Sequence, residues 1–179
     1  MRIRTNFFVT LDGKVAGPDG RPVQLLLPDW RGAESYGLPE FLASTEAVVM
    51  GRTTFLPALG APRWPWTQPV FVLTSSPLPE STPDEVRSAP TAAELVELMT
   101  SAGVGGDVHL VGGPSTMQAF LEIGALAEVR LHVVPLILGS GRELGAAGAE
   151  PLPLALQSTR LFPDGVIELA YVPERQGAG

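Results

Sequence analysis

Residues 107–124 read DVHLVGGPSTMQAFLEIG, and the rest of the chain can be organised around them. The apolar run 108–111 predicts a short buried strand, followed by two glycines and an amphipathic helix that Pro114 opens. Proline is favoured at the first helical position because its missing N–H would have no partner there. Met117, Phe120 and Leu121 recur at helical spacing, and Gly124 stands where a glycine ends a helix. The strand therefore runs through Gly112 and Gly113 into a helix N-terminus, whose free N–H groups and partial positive charge suit an anion. The plainer reading is a turn that needs glycine for its backbone angles.

Working outward, the same pattern of strand, glycine and helix start recurs at 47–56. An apolar run at 47–50 meets Gly51, Arg52, Thr53 and Thr54, and Pro57 and Gly60 are expected to end that helix. A third apolar run, 70–73, ends in Thr74, Ser75 and Ser76; with prolines at 77 and 79, those hydroxyls have no helix to cap. Residues 2–10 predict a buried first strand running into the glycine-rich loop 11–20, read as a turn cluster or as a flap over a ligand. Residues 38–44 predict a short helix and 86–88 a minor strand. Thr91 with Glu94 forms a capping box ahead of a helix whose apolar face is Leu95, Leu98, Met99 and Ala102. Beyond the opening stretch, 129–138, 152–161 and 166–172 predict strands alone, with Asp164-Gly165 as a hairpin signal. Alternating strands and helices followed by strands imply a largely parallel sheet with an antiparallel C-terminal edge.

Composition narrows the chemistry. At 179 residues the chain is expected to form a single domain over residues 1–179, with 45% hydrophobic and 17% charged residues. The absence of cysteine removes disulfides, thiolate nucleophiles and sulfur-bound metal. The two histidines, His109 and His132, are flanked by apolar residues; they read as strand residues facing a cleft or a partner, and no metal site is expected. Net charge is −7, so no nucleic-acid partner is expected. No apolar run approaches the roughly 20 residues that span a bilayer, so no membrane partner is expected either. The N-terminal MRIRTNFFVT lacks a signal-peptide pattern, which gives a cytoplasmic expectation. The segment 139–145, GSGRELG, fails as a dinucleotide fingerprint because Leu144 occupies a glycine position and an Ala/Gly/Pro-rich stretch follows. Two helix starts, an arginine and a hydroxyl cluster could together hold a ligand with several phosphates. A phosphorylated dinucleotide fits, since its nicotinamide brings its own chemistry.

Five segments carry a resemblance in a fixed order: VTLDGKVAG (9–17), VVMGRTTF (48–55), VFVLTSS (70–76), VHLVGGPSTMQAFL (108–121) and VRLHVVPLILGSGREL (129–144). With these the chain resembles the dihydrofolate reductase superfamily, in the branch similar to the reductase domain of bifunctional riboflavin-biosynthesis proteins. The resemblance implies an α/β, dihydrofolate-reductase-like three-layer fold: a mostly parallel central sheet of about eight strands, an antiparallel C-terminal edge and helices on both faces. It implies an NADPH-dependent reductase passing hydride to a small heterocyclic substrate, pterin-like or aminopyrimidine-like. A noncatalytic binder of NADPH or another small molecule is the alternative. By position, Gly51, Arg52, Thr53 and Thr54 would face the adenosine phosphates, with Thr74, Ser75 and Ser76 at the 2′-phosphate. Val111, Gly112, Gly113, Pro114, Ser115 and Thr116 would hold the pyrophosphate, and Asp12, Ala16 and Gly17 would lie beside the nicotinamide. Reductases of this kind carry a carboxylate early in the first helix. The candidate here is Asp29, as proton donor desolvated by Trp30 and the preceding leucines, with Trp30 against substrate; the plainer reading of Asp29 is a solvated turn aspartate after Pro28. The run 133–138 and the behaviour of similar proteins imply a homodimer.

Overall fold

The computed structural model describes residues 1–145 and 151–174; residues 146–150, where the Ala/Gly/Pro-rich stretch was read, lie outside these. In chain order the elements are β1 (Arg2–Thr10), β2 (Lys14–Ala16), α1 (Leu38–Ala43), β3 (Thr45–Gly51), α2 (Arg52–Leu59), β4 (Val70–Leu73) and β5 (Arg87–Ala89). There follow α3 (Ala92–Ser101), β6 (Asp107–Gly112), α4 (Pro114–Glu122), β7 (Leu126–Val134), β8 (Arg142–Glu143), β9 (Leu154–Leu161) and β10 (Ile167–Pro173). Eight strands form one sheet in the order β5-β4-β3-β6-β1-β7-β10-β9, and β2 pairs with β8 in a separate two-stranded ladder.

The pairs from β5 to β1 are all parallel. Parallel strands are covered on both faces and so read as unbroken apolar runs; accordingly Ala47, Val48, Val49 and Met50 of β3 are all buried. From β7 through β10 to β9 the pairing is antiparallel. Here Phe162 N–H donates to the Val166 carbonyl and Gly165 takes φ 87°, closing the hairpin expected at Asp164-Gly165. The mostly parallel sheet with an antiparallel edge is the fold class expected from the sequence. No helix of the described residues is long and apolar enough to cross a membrane.

The chain divides into two compact units. The first comprises Met1–Thr5 and Ala43–Leu126; the second comprises Asn6–Leu42 and Ala127–Gly179. The first unit's core includes Phe55, Phe71, Leu95, Met99, Leu110 and Phe120, drawn from its strands and from α2, α3 and α4. The second unit's core gathers Phe8, Val23, Leu27, Tyr36, Leu38, Val134 and Val166, with Trp30 and Phe162 packed against them.

Three local expectations need correction. Pro57 does not end α2, which continues to Leu59; a proline in the last turn forfeits one hydrogen bond without meeting a long helix ahead of it. The strand expected over 129–138 starts earlier and stops at Val134, before Pro135. His109 and His132 do not face a cleft or a partner: both are buried, His132 completely. His109 lies edge-on to Trp66 at 6.5 Å, and burial, reinforced by Arg4, pushes its pKa down to about 3.

Candidate functional site

In the first unit, β3 and β6 lie side by side, and each passes through glycine directly into a helix. Register places Met50 opposite Gly112. A Cβ on Gly51 would collide with Thr116 Oγ1 and lie 3.9 Å from the Gly112 carbonyl oxygen. Only glycine permits this approach, which draws the starts of α2 and α4 together. The Gly112–Gly113 peptide is cis. Gly51 and Gly113 are the N-caps, and neither helix has a side-chain cap, whereas Thr91 of α3 accepts from Glu94 N–H at 3.2 Å. In α4, Pro114 has no N–H and Thr116 N–H turns back to the Gly113 carbonyl at 2.9 Å, so the Ser115 N–H, with the first turn of α2, is what lacks a side-chain cap at the positive ends of the two helices.

The side chains around these helix starts are part-exposed or exposed at Arg52, Thr53, Thr54, Val111, Gly113, Pro114 and Ser115, while Gly51, Gly112 and Thr116 are buried. Thr116 therefore packs α4 onto Gly51, a role its sequence position did not reveal. Beyond β4, Thr74 N–H donates to the Ala89 carbonyl at 2.9 Å, and Thr74 Oγ1 accepts from Ser76 N–H at 3.1 Å. Arg52 Nη1 donates to the carbonyls of Pro77 (2.8 Å) and Ser76 (3.4 Å). The structure thus brings Arg52 to the loop carrying Thr74, Ser75 and Ser76. It also engages the guanidinium with that loop's backbone, which spacing in the sequence could not show.

The second unit holds the remaining candidates. Asp12 Oδ1 accepts from Thr10 Oγ1 (2.6 Å) and Leu138 N–H (3.0 Å), and Oδ2 accepts from Gly139 N–H (2.8 Å). Those bonds, the Thr10 hydroxyl's first and the two amides' next, hold its pKa down to about 2. Asp12 thereby clasps the turn after β1 to the loop before β8. Gly141, at φ 137°, runs so close to the Ala16 carbonyl that a Cβ would collide with it. On the β2–β8 ladder Lys14 faces Glu143, with Nζ 2.6 Å from Oε1, and the Lys14 side chain is largely buried. Ala16 is buried and Gly17 half-buried on the same ribbon.

Asp29 takes the solvated of its two readings. Its side chain is 70% exposed and lies 3.9 Å from the Arg31 guanidinium, so the desolvation expected from Trp30 and the leucines is absent. The reason is local: Pro28 turns the chain outward, and Arg31 bonds the carbonyls of Pro28 and Trp30. Trp30 itself packs edge-on against Phe8, 5.2 Å between ring centroids. Asp29, Arg31, Tyr36, Phe162 and Asp164 help to line an open cleft of about 250 Å³. Beneath it sits a polar cluster around His132 whose partners the sequence did not show. His132 Nδ1 lies 2.9 Å from Asn6 Oδ1, and its Nε2 lies 2.8 Å from the Tyr36 carbonyl and 3.2 Å from Glu168 Oε2. Glu168 in turn lies 3.6 Å from Arg130. Its carboxyl is held below the usual range by His132 and Arg130 against the opposing effect of burial.

Among known proteins, the chain is 28% identical over 167 residues to YwjB of Bacillus subtilis, covering 92% of this chain and 93% of that one. It is 34% identical over 67 residues to YyaP of the same organism, a match covering 37% of this chain and 36% of YyaP. The crystal structure of a protein from Shewanella sp. PV-4, named for riboflavin biosynthesis, matches at TM-score 0.82 and 22% identity, covering 98% and 100% of the two chains. A diaminohydroxyphosphoribosylaminopyrimidine deaminase/5-amino-6-(5-phosphoribosylamino)uracil reductase from Thermotoga maritima matches at TM-score 0.70 and 16% identity, over 97% of this chain and 56% of that one. At such identities the structural likeness is one of fold. The chain spans little more than half of the bifunctional protein and about a third of YyaP in the matched stretch. The model of the RibD C-terminal domain matches residues 2–167, and by that match the chain belongs to the RibD C-terminal domain family.

Proposed function

We propose that the protein is an NADPH-dependent reductase of a small heterocycle, aminopyrimidine-like or pterin-like. The observation that carries this reading is the pair of uncapped helix starts drawn together at Gly51 and Gly113, with Arg52 beside a hydroxyl-bearing loop. Backbone N–H groups at two helix ends are suited to a pyrophosphate. Arg52 with Thr74, Ser75 and Ser76 gives a cationic and hydroxylic surround for a 2′-phosphate, and no carboxylate follows either strand to repel it. NADPH would supply the hydride; the chain's own residues bind, orient and shield. In the second unit, Trp30 would face the heterocycle, and Asp29, open to solvent, would relay a proton. A cytoplasmic location fits the cofactor.

The exposure of Asp29 favours a second reading, a noncatalytic binder of the same nucleotide. Loss of NADPH absorbance with 5-amino-6-(5-phosphoribosylamino)uracil, dihydrofolate and a panel of carbonyl compounds separates the two. Turnover with one of them supports the reductase; tight NADPH binding with no turnover supports the binder. Failure to bind NADPH overturns both. In the active case Asp29→Asn should lower turnover about a hundredfold, the low end of general acid catalysis.

A homodimer belongs to the same proposal. Register puts Leu131 and Val133 of β7, Ile167 and Leu169 of β10 and Leu161 of β9 on one face. All five are half-buried or exposed. Because β9 lies beside β10 and extends the sheet, it does not cover that face within the chain. A second copy would bury it. Sedimentation equilibrium should give twice the 18.9 kDa chain mass; a monomer at micromolar concentration overturns the dimer.

A further inference from the structure

Tyr36 takes φ 53°, alone among non-glycine residues in the described part of the chain, with Gly37 following at φ 74°. A bulky side chain in that left-handed region carries a steric cost and persists only where its surroundings hold it. Three contacts do so. The Tyr36 carbonyl lies 2.8 Å from His132 Nε2, in a fully buried imidazole whose other nitrogen meets Asn6. The Tyr36 hydroxyl donates to the Asp164 carboxylate, and burial together with Asp164 raises its pKa and keeps it a donor. The ring stands edge-on to Phe162 at 5.1 Å and to Phe8 at 5.5 Å. Phe8 is shared: it stacks on His132 at 4.5 Å and takes Trp30 on its edge. The loop is closed again by Arg31 N–H, which donates to Ser35 Oγ at 2.6 Å.

Strain held from three sides at the wall of a cleft is the signature of a segment fixed for binding. We propose that His132 and Tyr36 are positioning residues: they lock residues 30–37 so that the cleft wall formed by Arg31, Ser35 and Tyr36 with Phe162 and Asp164 is held fixed for the planar ring of the substrate. This rests on the reductase reading for its substrate, but the lock can be measured without turnover.

The test compares wild type with Tyr36→Phe, which removes one hydroxyl, His132→Leu, which removes the donor to Tyr36, and His132→Gln, which restores one. Amide exchange at Ser35 and Leu38, which close turns onto Gly32 and Ser35, should speed up about tenfold or more in Tyr36→Phe and His132→Leu and recover in His132→Gln. The magnetic contact between the Trp30 indole and the Phe8 ring should weaken in parallel. NADPH affinity should stay within about twofold, while KM for 5-amino-6-(5-phosphoribosylamino)uracil rises about tenfold with kcat little changed. Unchanged exchange in Tyr36→Phe overturns the lock, and does so even if His132→Leu does not fold. Equal damage by Gln and Leu, or an equal loss of NADPH affinity, reduces His132 to a packing role and overturns the proposal. An inert wild type with the exchange pattern as expected overturns the reductase reading and leaves the lock standing.

Discussion

The two units are built for different tasks by different means. The first presents backbone: glycines at the ends of β3 and β6, two helix starts without side-chain caps, and a loop that Arg52 organises through its carbonyls. The second presents side chains: Trp30, Tyr36, Asp12 and Lys14, each held by partners from distant parts of the sequence. A backbone site tolerates little at its glycines and much at its exposed positions. A side-chain site depends on the groups behind it.

The largest effect should come from adding one carbon to the backbone site. Gly51→Ala brings a methyl into Thr116 Oγ1 and should weaken NADPH binding about a hundredfold, with a stability cost of about 1–3 kcal/mol from overpacking. Adding Thr116→Ala removes the colliding oxygen and should recover much of the stability. Denaturant melts of the single and double variants check this, and additive losses would show that the collision is not the cause.

Next, Arg52→Ala should weaken NADPH binding by about tenfold to a hundredfold, the loss of one or two charge-assisted bonds. Titration of NADPH and NADH by fluorescence quenching resolves how. If the guanidinium reaches the 2′-phosphate, NADH binding stays nearly constant. If it serves only to hold the Ser76 and Pro77 carbonyls, both nucleotides weaken alike.

Acid should separate the units by pH window. His109 in the first unit has a folded pKa lowered to about 3, so the unfolded chain takes up a proton below about 6.5 and the folded one does not. Stability should therefore fall by about 1.4 kcal/mol per pH unit on this account between about pH 6.5 and 3. His109→Gln should flatten that limb. The Asp12 clasp of the second unit has its pKa lowered to about 2, so its contribution is present above the ordinary carboxylate range and fades only as pH falls from about 4 to 2. Asp12→Asn should cost stability at neutral pH and shift only this lower limb, the smallest of the four effects because the residue is only half-buried. Exchange rates for amides of each unit, followed across pH, distinguish the two windows.

How much could be read beforehand follows the same division. The glycine–helix junctions at 50–54 and 111–116 were legible because a turn, a helix start and an apolar run leave local marks within a dozen residues. The residues expected at the nucleotide's phosphates lie in the first unit, with Thr116 turned inward, while Asp12, Ala16 and Gly17, expected beside the nicotinamide, lie in the second. The Asp29 environment stayed open between a desolvated and a solvated reading because burial is not local. A tryptophan next in sequence does not desolvate a carboxylate when proline turns the chain outward. The contact between Tyr36 and His132 left no mark, because they lie 96 residues apart and are joined through a main-chain carbonyl.

The sequence by itself determined the order of the large sheet's strands and of the helices, the parallel-then-antiparallel sheet, the hairpin at Asp164-Gly165 and the two glycine junctions, though not the β2–β8 ladder. Each of these rests on periodicity, on proline and glycine backbone limits or on capping, all of which act between near neighbours. Only the tertiary structure decided that Gly51 meets Thr116, that Arg52 turns to the 76–77 carbonyls, that Asp12 clasps residues 138–139, and that both histidines go inside. Those are contacts between strands and loops far apart in the chain. Their geometry is set by sheet register and packing, which no local pattern encodes.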